Sequence, residues 1–115
     1  MRESNEQRLS DIAASFARIA SCIHEDQPDS VLRAACEETE TLCTAAAPES
    51  PGEVGPLLIN VTTALQTWRQ VWPRLGQQRE FRLAVAREAA LWSKRLQEFA
   101  AAARGLDPRG GAGGG

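Results

Sequence analysis

The sequence lacks many of the side chains on which enzymes most often depend. It contains no tyrosine and one histidine, His24, so few groups can exchange protons near neutral pH. It has no glycine-rich phosphate loop, nucleophile elbow or dinucleotide-binding motif. Glu-x-x-His pairs, of which a di-iron bundle needs two, are also missing. These absences argue against an enzyme, and no cofactor is predicted.

Long apolar runs are missing as well. No uncharged stretch approaches the roughly 20 residues of a membrane span, and residues 1–11 carry five charged side chains without the apolar block of a signal peptide. The three cysteines are an odd number, which argues against a disulfide framework and fits a reducing compartment. We therefore expect a cytoplasmic protein with no membrane contact.

What the sequence does contain is typical of an all-α protein. Alanine is abundant and β-branched residues are sparse, and alanine has the highest helix propensity. Apolar residues recur at alternating steps of three and four, the spacing of one buried helix face. The pattern predicts helices at 4–25, 28–46, 55–73 and 78–104. The predicted core is Leu9, Ile12, Phe16, Ile19, Ile23, Leu32, Leu42, Leu58, Val61, Leu65, Trp68, Val85, Trp92, Leu96 and Phe99.

Short connections predict how these helices pack. Residues 4–46 and 55–104 each form a helical hairpin, and a linker rich in proline and glycine joins them at 47–56. Long helices with short links favour an antiparallel four-helix bundle, here one domain over 1–104, followed by a flexible glycine-rich tail at 105–115. Helices 3 and 4 are expected to form the tightest hairpin.

Local signals predict how the helices begin and end. Residues 4–7, with Ser4 and Gln7, match a capping box for helix 1. Asp26 is placed to cap helix 2, with Pro28 in its first turn. Pro73 should interrupt helix 3, and Gly76 should end it in a left-handed conformation.

Charge is distributed unevenly between the two halves. Residues 1–55 contain four arginines and eleven acidic residues, whereas residues 56–115 contain nine basic and four acidic residues. The acids of helix 2, Glu37, Glu38 and Glu40, are expected to face solvent. Either the two hairpins attract each other within one fold, or the basic half presents a surface to an acidic partner.

Cys22, His24, Cys36 and Cys43 are the one set of residues with the chemistry of a zinc site. In a hairpin that turns near Gln27, however, Cys22 and Cys43 are separated by more than two helical turns. Ligands so far apart cannot converge on one ion. We therefore predict buried thiols and no metal site.

The predicted function is a non-catalytic protein–protein interaction module, such as an adaptor, chaperone or assembly subunit. The alternatives are a bundle that binds a metal ion or small ligand and, less favoured, a nucleic-acid-binding protein that uses the arginines of helices 3 and 4. Self-association is also plausible because the apolar seam of helix 2 is thin. The predicted partner-binding residues surround the turn after helix 3 and are Trp72, Pro73, Arg74, Gly76, Arg79 and Arg82. An aromatic residue beside arginines there suits an acidic partner.

Overall fold

The computed structural model describes residues 5–105, and their regular structure is entirely helical. The four α-helices are α1 (Asn5–His24), α2 (Asp29–Ala46), α3 (Val54–Leu75) and α4 (Arg79–Gly105), and a 3₁₀ turn at Ala47–Glu49 follows α2. The predicted all-α four-helix fold is confirmed. Ser4 of the predicted capping box and residues 106–115 of the predicted tail lie outside the described residues.

Successive helices run antiparallel. Contacts between neighbouring helices of the bundle pair rising residue numbers on one helix with falling numbers on the other. They join Ser15 to Thr39 and Arg18 to Glu38 for α1 and α2, Glu37 to Arg69 and Glu40 to Gln66 for α2 and α3, and Ala13 to Ser93 and Asp26, just past α1, to Arg82 for α1 and α4. The resulting bundle measures 50 × 25 × 24 Å.

Small residues line the contact between α1 and α4. Buried alanines and a serine occur on both helices, among them Ala13 and Ala20 of α1 and Ala86, Ala89, Ser93 and Ala100 of α4. The Ser93 hydroxyl donates a 2.8 Å hydrogen bond to the Ala13 carbonyl, which requires the two backbones to be close. This contact joins the first and last helices of the chain.

The prediction that helices 3 and 4 form the tightest hairpin is wrong. Few residue pairs of α3 and α4 have Cα atoms within 8 Å, whereas many pairs of α1 and α4 do. Side-chain size explains the difference, because the distance between packed helices depends on the side chains at their contact. Leucine and tryptophan hold helices apart, while alanine allows them to approach.

The predicted core is largely confirmed. Leu42, Trp92 and Phe99 are the exceptions, being half-buried against the core rather than within it. The predicted core did not include the buried serines Ser15 and Ser93. Both are satisfied by hydrogen bonds, Ser15 with the buried Thr39 hydroxyl at 2.5 Å and Ser93 with the Ala13 carbonyl.

The turn between α1 and α2 differs from the prediction. Asp26 does not cap α2, because Pro28 occupies the cap position and no side chain caps that helix. Asp26 instead ends α1 in a left-handed conformation with φ 52°, and the Gln27 amide donates to the Cys22 carbonyl at 3.0 Å. This is the Schellman pattern of a helix C-terminus. It leaves the Asp26 carboxylate available to Arg82.

α3 extends beyond its predicted bounds at both ends. It begins at Val54, with Pro56 in its first turn. The backbone amides of the first turn have no acceptor within the helix, so a proline there removes no helical hydrogen bond. It continues through Pro73 and ends at Leu75 rather than 73. Within the last turn, proline removes one hydrogen bond without ending the helix.

Replacing Ala89 by leucine should destabilise the fold, because Ala89 has no exposed surface in the interior of the bundle. Overpacking of this kind lowers the free energy of unfolding by about 1–3 kcal/mol. The same substitution at the adjacent exposed Ala90 should change it by less than about 0.5 kcal/mol. Urea denaturation measures both variants, and equal effects would contradict the close packing described here.

Candidate functional site

The six predicted partner-binding residues lie where α3 ends and α4 begins, a region we name the α3–α4 corner. Pro73, Arg74 and Arg79 are exposed, Trp72 and Arg82 are half-buried, and Gly76 is buried. The fold therefore brings these residues together at one end of the bundle. Whether they bind a partner stays a prediction.

Gly76 has a role different from the one predicted. Its backbone is right-handed, with φ −64° and ψ −16°, so the predicted left-handed stop is wrong. A Cβ atom here would lie 2.5 Å from Nε1 and 2.6 Å from Cδ1 of Trp72. The missing side chain thus makes room for the indole, which also contacts Phe81 of α4 at a centroid distance of 5.5 Å.

Arg82 connects the α3–α4 corner to the neighbouring turn. Its Nη2 lies 3.4 Å from Oδ1 of Asp26. Beside this ion pair is a cleft of about 250 Å³ between the end of α1, including His24, and the start of α4, including Arg79 and Leu83. Asp26 therefore partly neutralises the corner, while Arg74 and Arg79 form no ion pair with any residue in 5–105.

The acidic and basic hairpins do attract each other, chiefly through Arg69. Its Nη2 lies 2.9 Å from Glu40 Oε2 and its Nη1 lies 3.5 Å from Glu37 Oε2. Gln66 also donates to Glu40 at 3.3 Å. Glu40 was expected to face solvent, but its side chain is only 15% exposed. Burial between α2 and α3 makes this ion pair less screened than an exposed one.

α4 carries a second exposed surface, which the sequence analysis did not identify. Arg79, Leu83, Arg87, Leu91 and Lys94 are spaced by four or three residues and so lie on one side of the helix; we name them the outer face of α4. All five are exposed, including 59% of Leu91. The signal was available in the sequence, since both leucines fall outside the periodic apolar seam.

The cations on the outer face of α4 form no ion pair within the described chain, although exposed Glu80, Glu88 and Glu98 lie on the same helix. Arg79, Arg87 and Lys94 form no ion pair with residues 5–105. Glu80 and Glu98 lie near its two ends. Single exposed leucines are ordinary, but here two of them lie among unpaired cations.

The three cysteines are buried and form no disulfide. Burial raises the pKa of Cys36 and Cys43 from 9.0 to about 12, although Arg69 opposes the shift at Cys36 and a hydrogen bond to Thr62 opposes it at Cys43. Both thiols are thus protonated at neutral pH, whereas the thiolate is the nucleophile and metal ligand. Among residues 5–105, no three His, Cys, Asp or Glu side chains are grouped to hold a metal ion.

None of the helices in the described part of the chain has both the length and the apolarity to cross a membrane. Comparisons with protein families, curated proteins and solved structures gave no match.

Gly76→Ala should destabilise the α3–α4 corner, because the added methyl group would overlap the Trp72 indole. We expect a loss of about 1–3 kcal/mol in the free energy of unfolding, typical of overpacking, together with a change in tryptophan fluorescence. Gln77→Ala, at the next and exposed position, serves as the control. A Gly76→Ala protein with wild-type stability and fluorescence would show that the contact is not tight.

The buried thiols should make the fold sensitive to alkali. Their pKa is higher in the folded state than the ordinary value of 9.0, so their contribution is intact below pH 9 and is lost as the pH rises toward 12. The loss is about 1.4 kcal/mol per pH unit for each thiol. The chain has no tyrosine, so no phenol titrates in this range.

Denaturant unfolding at several pH values between 8 and 11 measures this dependence. In a Cys36→Ala/Cys43→Ala variant, the decline of stability with pH should be much shallower than in the wild type. Identical slopes in the two proteins would show that these thiols do not cause the alkaline loss.

Proposed function

We propose that the protein is a non-catalytic protein–protein interaction module that binds an acidic, partly apolar segment of a partner protein. The docking surface comprises the outer face of α4 and the exposed arginines of the adjoining α3–α4 corner. The observation that carries this proposal is the exposure of Leu83 and Leu91 among Arg79, Arg87 and Lys94, none of which is paired within residues 5–105.

The chemistry of this surface supports an acidic partner. Exposed leucines supply apolar area whose burial favours association, and unpaired cations attract carboxylates and accelerate encounter. The α3–α4 corner extends the same surface, since Arg79 belongs to both. Arg74 adds a further exposed guanidinium, whose planar fork suits a carboxylate.

A non-catalytic role is consistent with the state of the reactive side chains. Cys36 and Cys43 are buried, and their raised pKa keeps them protonated, while His24 is exposed at the end of α1. The free thiols also favour a reducing compartment such as the cytoplasm. Nucleic acid is a weaker candidate, because the cations of α4 have no exposed aromatic stacking platform among them.

Charge reversal and apolar removal test the docking surface separately. The partner is first captured from cell extract at low salt, purified, and its affinity measured by titration. Arg79→Glu/Arg87→Glu should weaken binding at least tenfold and reduce its salt dependence. Leu83→Ser/Leu91→Ser should weaken binding as well but leave the salt dependence intact, because it removes only apolar contact.

Matched controls place the same chemistry elsewhere on the bundle. Ile59→Ser changes a side chain on α3 that is 58% exposed, and Thr44→Glu/Ala45→Glu adds negative charge at exposed positions of α2; both should bind as the wild type does. Light scattering of each variant shows whether the partner is a second copy of the chain. A partner that binds all four variants with equal affinity would place the docking surface elsewhere.

A further inference from the structure

The cleft of about 250 Å³ between the end of α1 and the start of α4 lies beside the α3–α4 corner. Two of its lining residues, Arg79 and Leu83, also belong to the outer face of α4. The cleft is therefore continuous with the proposed docking surface and lies at one end of it. The other lining residues are Ile23, His24, Asp26, Gln77 and Arg82.

Two guanidinium groups line this cleft. Arg79 and Arg82 are three residues apart on α4 and so lie on the same side of the helix. Arg79 is exposed and forms no ion pair with any residue in 5–105, and Arg82, whose side chain is 24% exposed, forms one with Asp26 alone in that range. A guanidinium is always charged, and its planar fork of N–H donors matches a carboxylate.

The Asp26 carboxylate holds Arg82 only loosely. Its Oδ1 lies 3.4 Å from Arg82 Nη2, longer than the roughly 2.7–2.9 Å of a charge-assisted hydrogen bond. The side chain of Arg82 makes no hydrogen bond with residues 5–105, so the donors of its fork are left for another acceptor. The Asp26 side chain is 86% exposed, and little packing keeps it in place.

The charge of the cleft favours a ligand with one negative charge. Arg79 and Arg82 are positive and Asp26 is negative, and the neighbouring acids Glu25 and Glu80 do not line the cleft. One positive charge is therefore not balanced within the cleft. A carboxylate supplies the single charge that balances it, whereas a phosphate monoester carries nearly two at neutral pH and would be repelled more strongly by Asp26.

The size and lining of the cleft suit a short acidic side chain. Its volume of about 250 Å³ corresponds to roughly eight water molecules, which leaves room for a carboxylate on one or two methylene groups. Leu83, which is 38% exposed, and Ile23 offer apolar surface to those methylene groups. His24 and Gln77 add polar groups that can donate hydrogen bonds to the carboxylate oxygens.

We propose that this cleft is the subsite of the docking surface that takes an aspartate or glutamate side chain of the acidic partner segment. The carboxylate pairs with Arg79 and Arg82 and displaces Asp26, which competes for the same guanidinium. The inference rests on the proposed function, because it assigns one contact of that surface. It also identifies a residue, Asp26, whose charge weakens binding, so removing that charge should strengthen binding.

A titration of the ¹⁵N-labelled full chain followed by nuclear magnetic resonance tests the subsite without the partner. The probe is the peptide acetyl-Leu-Glu-Leu-amide, whose only charge is the side-chain carboxylate. It should shift the Arg79 and Arg82 Nε–H signals in a saturable manner. Acetyl-Leu-Gln-Leu-amide, its neutral counterpart, should leave both unchanged at the same concentration, and acetyl-Leu-Gln-Leu with a free terminal carboxylate should bind more weakly than the probe.

Substitution of Asp26 tests the competition. Asp26→Asn removes the charge and keeps a residue that tolerates the left-handed conformation found here, with φ 52°. It should tighten probe binding roughly threefold, the usual effect of an exposed ion pair. Glu53→Gln makes the same change of charge at an exposed position before α3 and should leave the affinity unchanged. Asp26→Gly, which also accepts a positive φ, replaces Asp26→Asn if that variant does not fold.

Substitution of the arginines locates the probe. Arg82→Gln should weaken probe binding roughly tenfold, because a charge-assisted pair becomes a neutral hydrogen bond. Arg87→Gln removes a cation of the outer face of α4 that does not line the cleft. It should leave probe binding unchanged but weaken binding of the captured partner.

Three results would overturn this inference. They are an Asp26→Asn protein that binds the probe no more tightly than the wild type, an equal response to the glutamate and glutamine peptides, and tighter binding of the terminal carboxylate or of inorganic phosphate than of the probe. Failure of the docking surface itself looks different. In that case the captured partner is insensitive to Arg87 and to the leucines of α4, while the probe still binds the cleft.

Discussion

The close approach of α1 and α4 is the contact on which the remaining structure depends. Alanines on both helices and the Ser93 hydroxyl, which bonds directly to the α1 backbone, bring the two ends of the chain together. With the termini of the bundle joined in this way, α2 and α3 complete it by packing against the leucine and isoleucine seams. Few residues of α3 and α4 approach closely, and Trp92 and Phe99 of α4 are half-buried against the core.

Electrostatics operates mainly at the contact between α2 and α3. Arg69 binds two glutamates of α2, one of them largely buried, so this contact combines apolar packing with a partly desolvated ion pair. Arg69 Nε and Glu40 Oε2 both lack a hydrogen-bond partner at this contact, although Glu40 Oε2 lies 2.9 Å from Arg69 Nη2.

The proposed docking surface lies on the outer face of α4, a helix whose opposite side is buried against α1, so changes at its exposed leucines and cations should leave the core intact. Half-buried Trp72, by contrast, contacts Phe81, and its position depends on the absence of a side chain at Gly76. Changes at the outer face of α4 should therefore spare the fold, whereas changes around Trp72 should not.

The sequence by itself determined the four helices, most of the large core residues and the location of the α3–α4 corner, because helix periodicity is a local property. Only the tertiary structure decided that α1 pairs most closely with α4, that Glu40 is buried by Arg69, and that Gly76 makes room for an indole. It also decided which donors lack acceptors. These outcomes depend on the sizes and charges of side chains that are distant in the chain, and a local pattern carries no information about which of them meet.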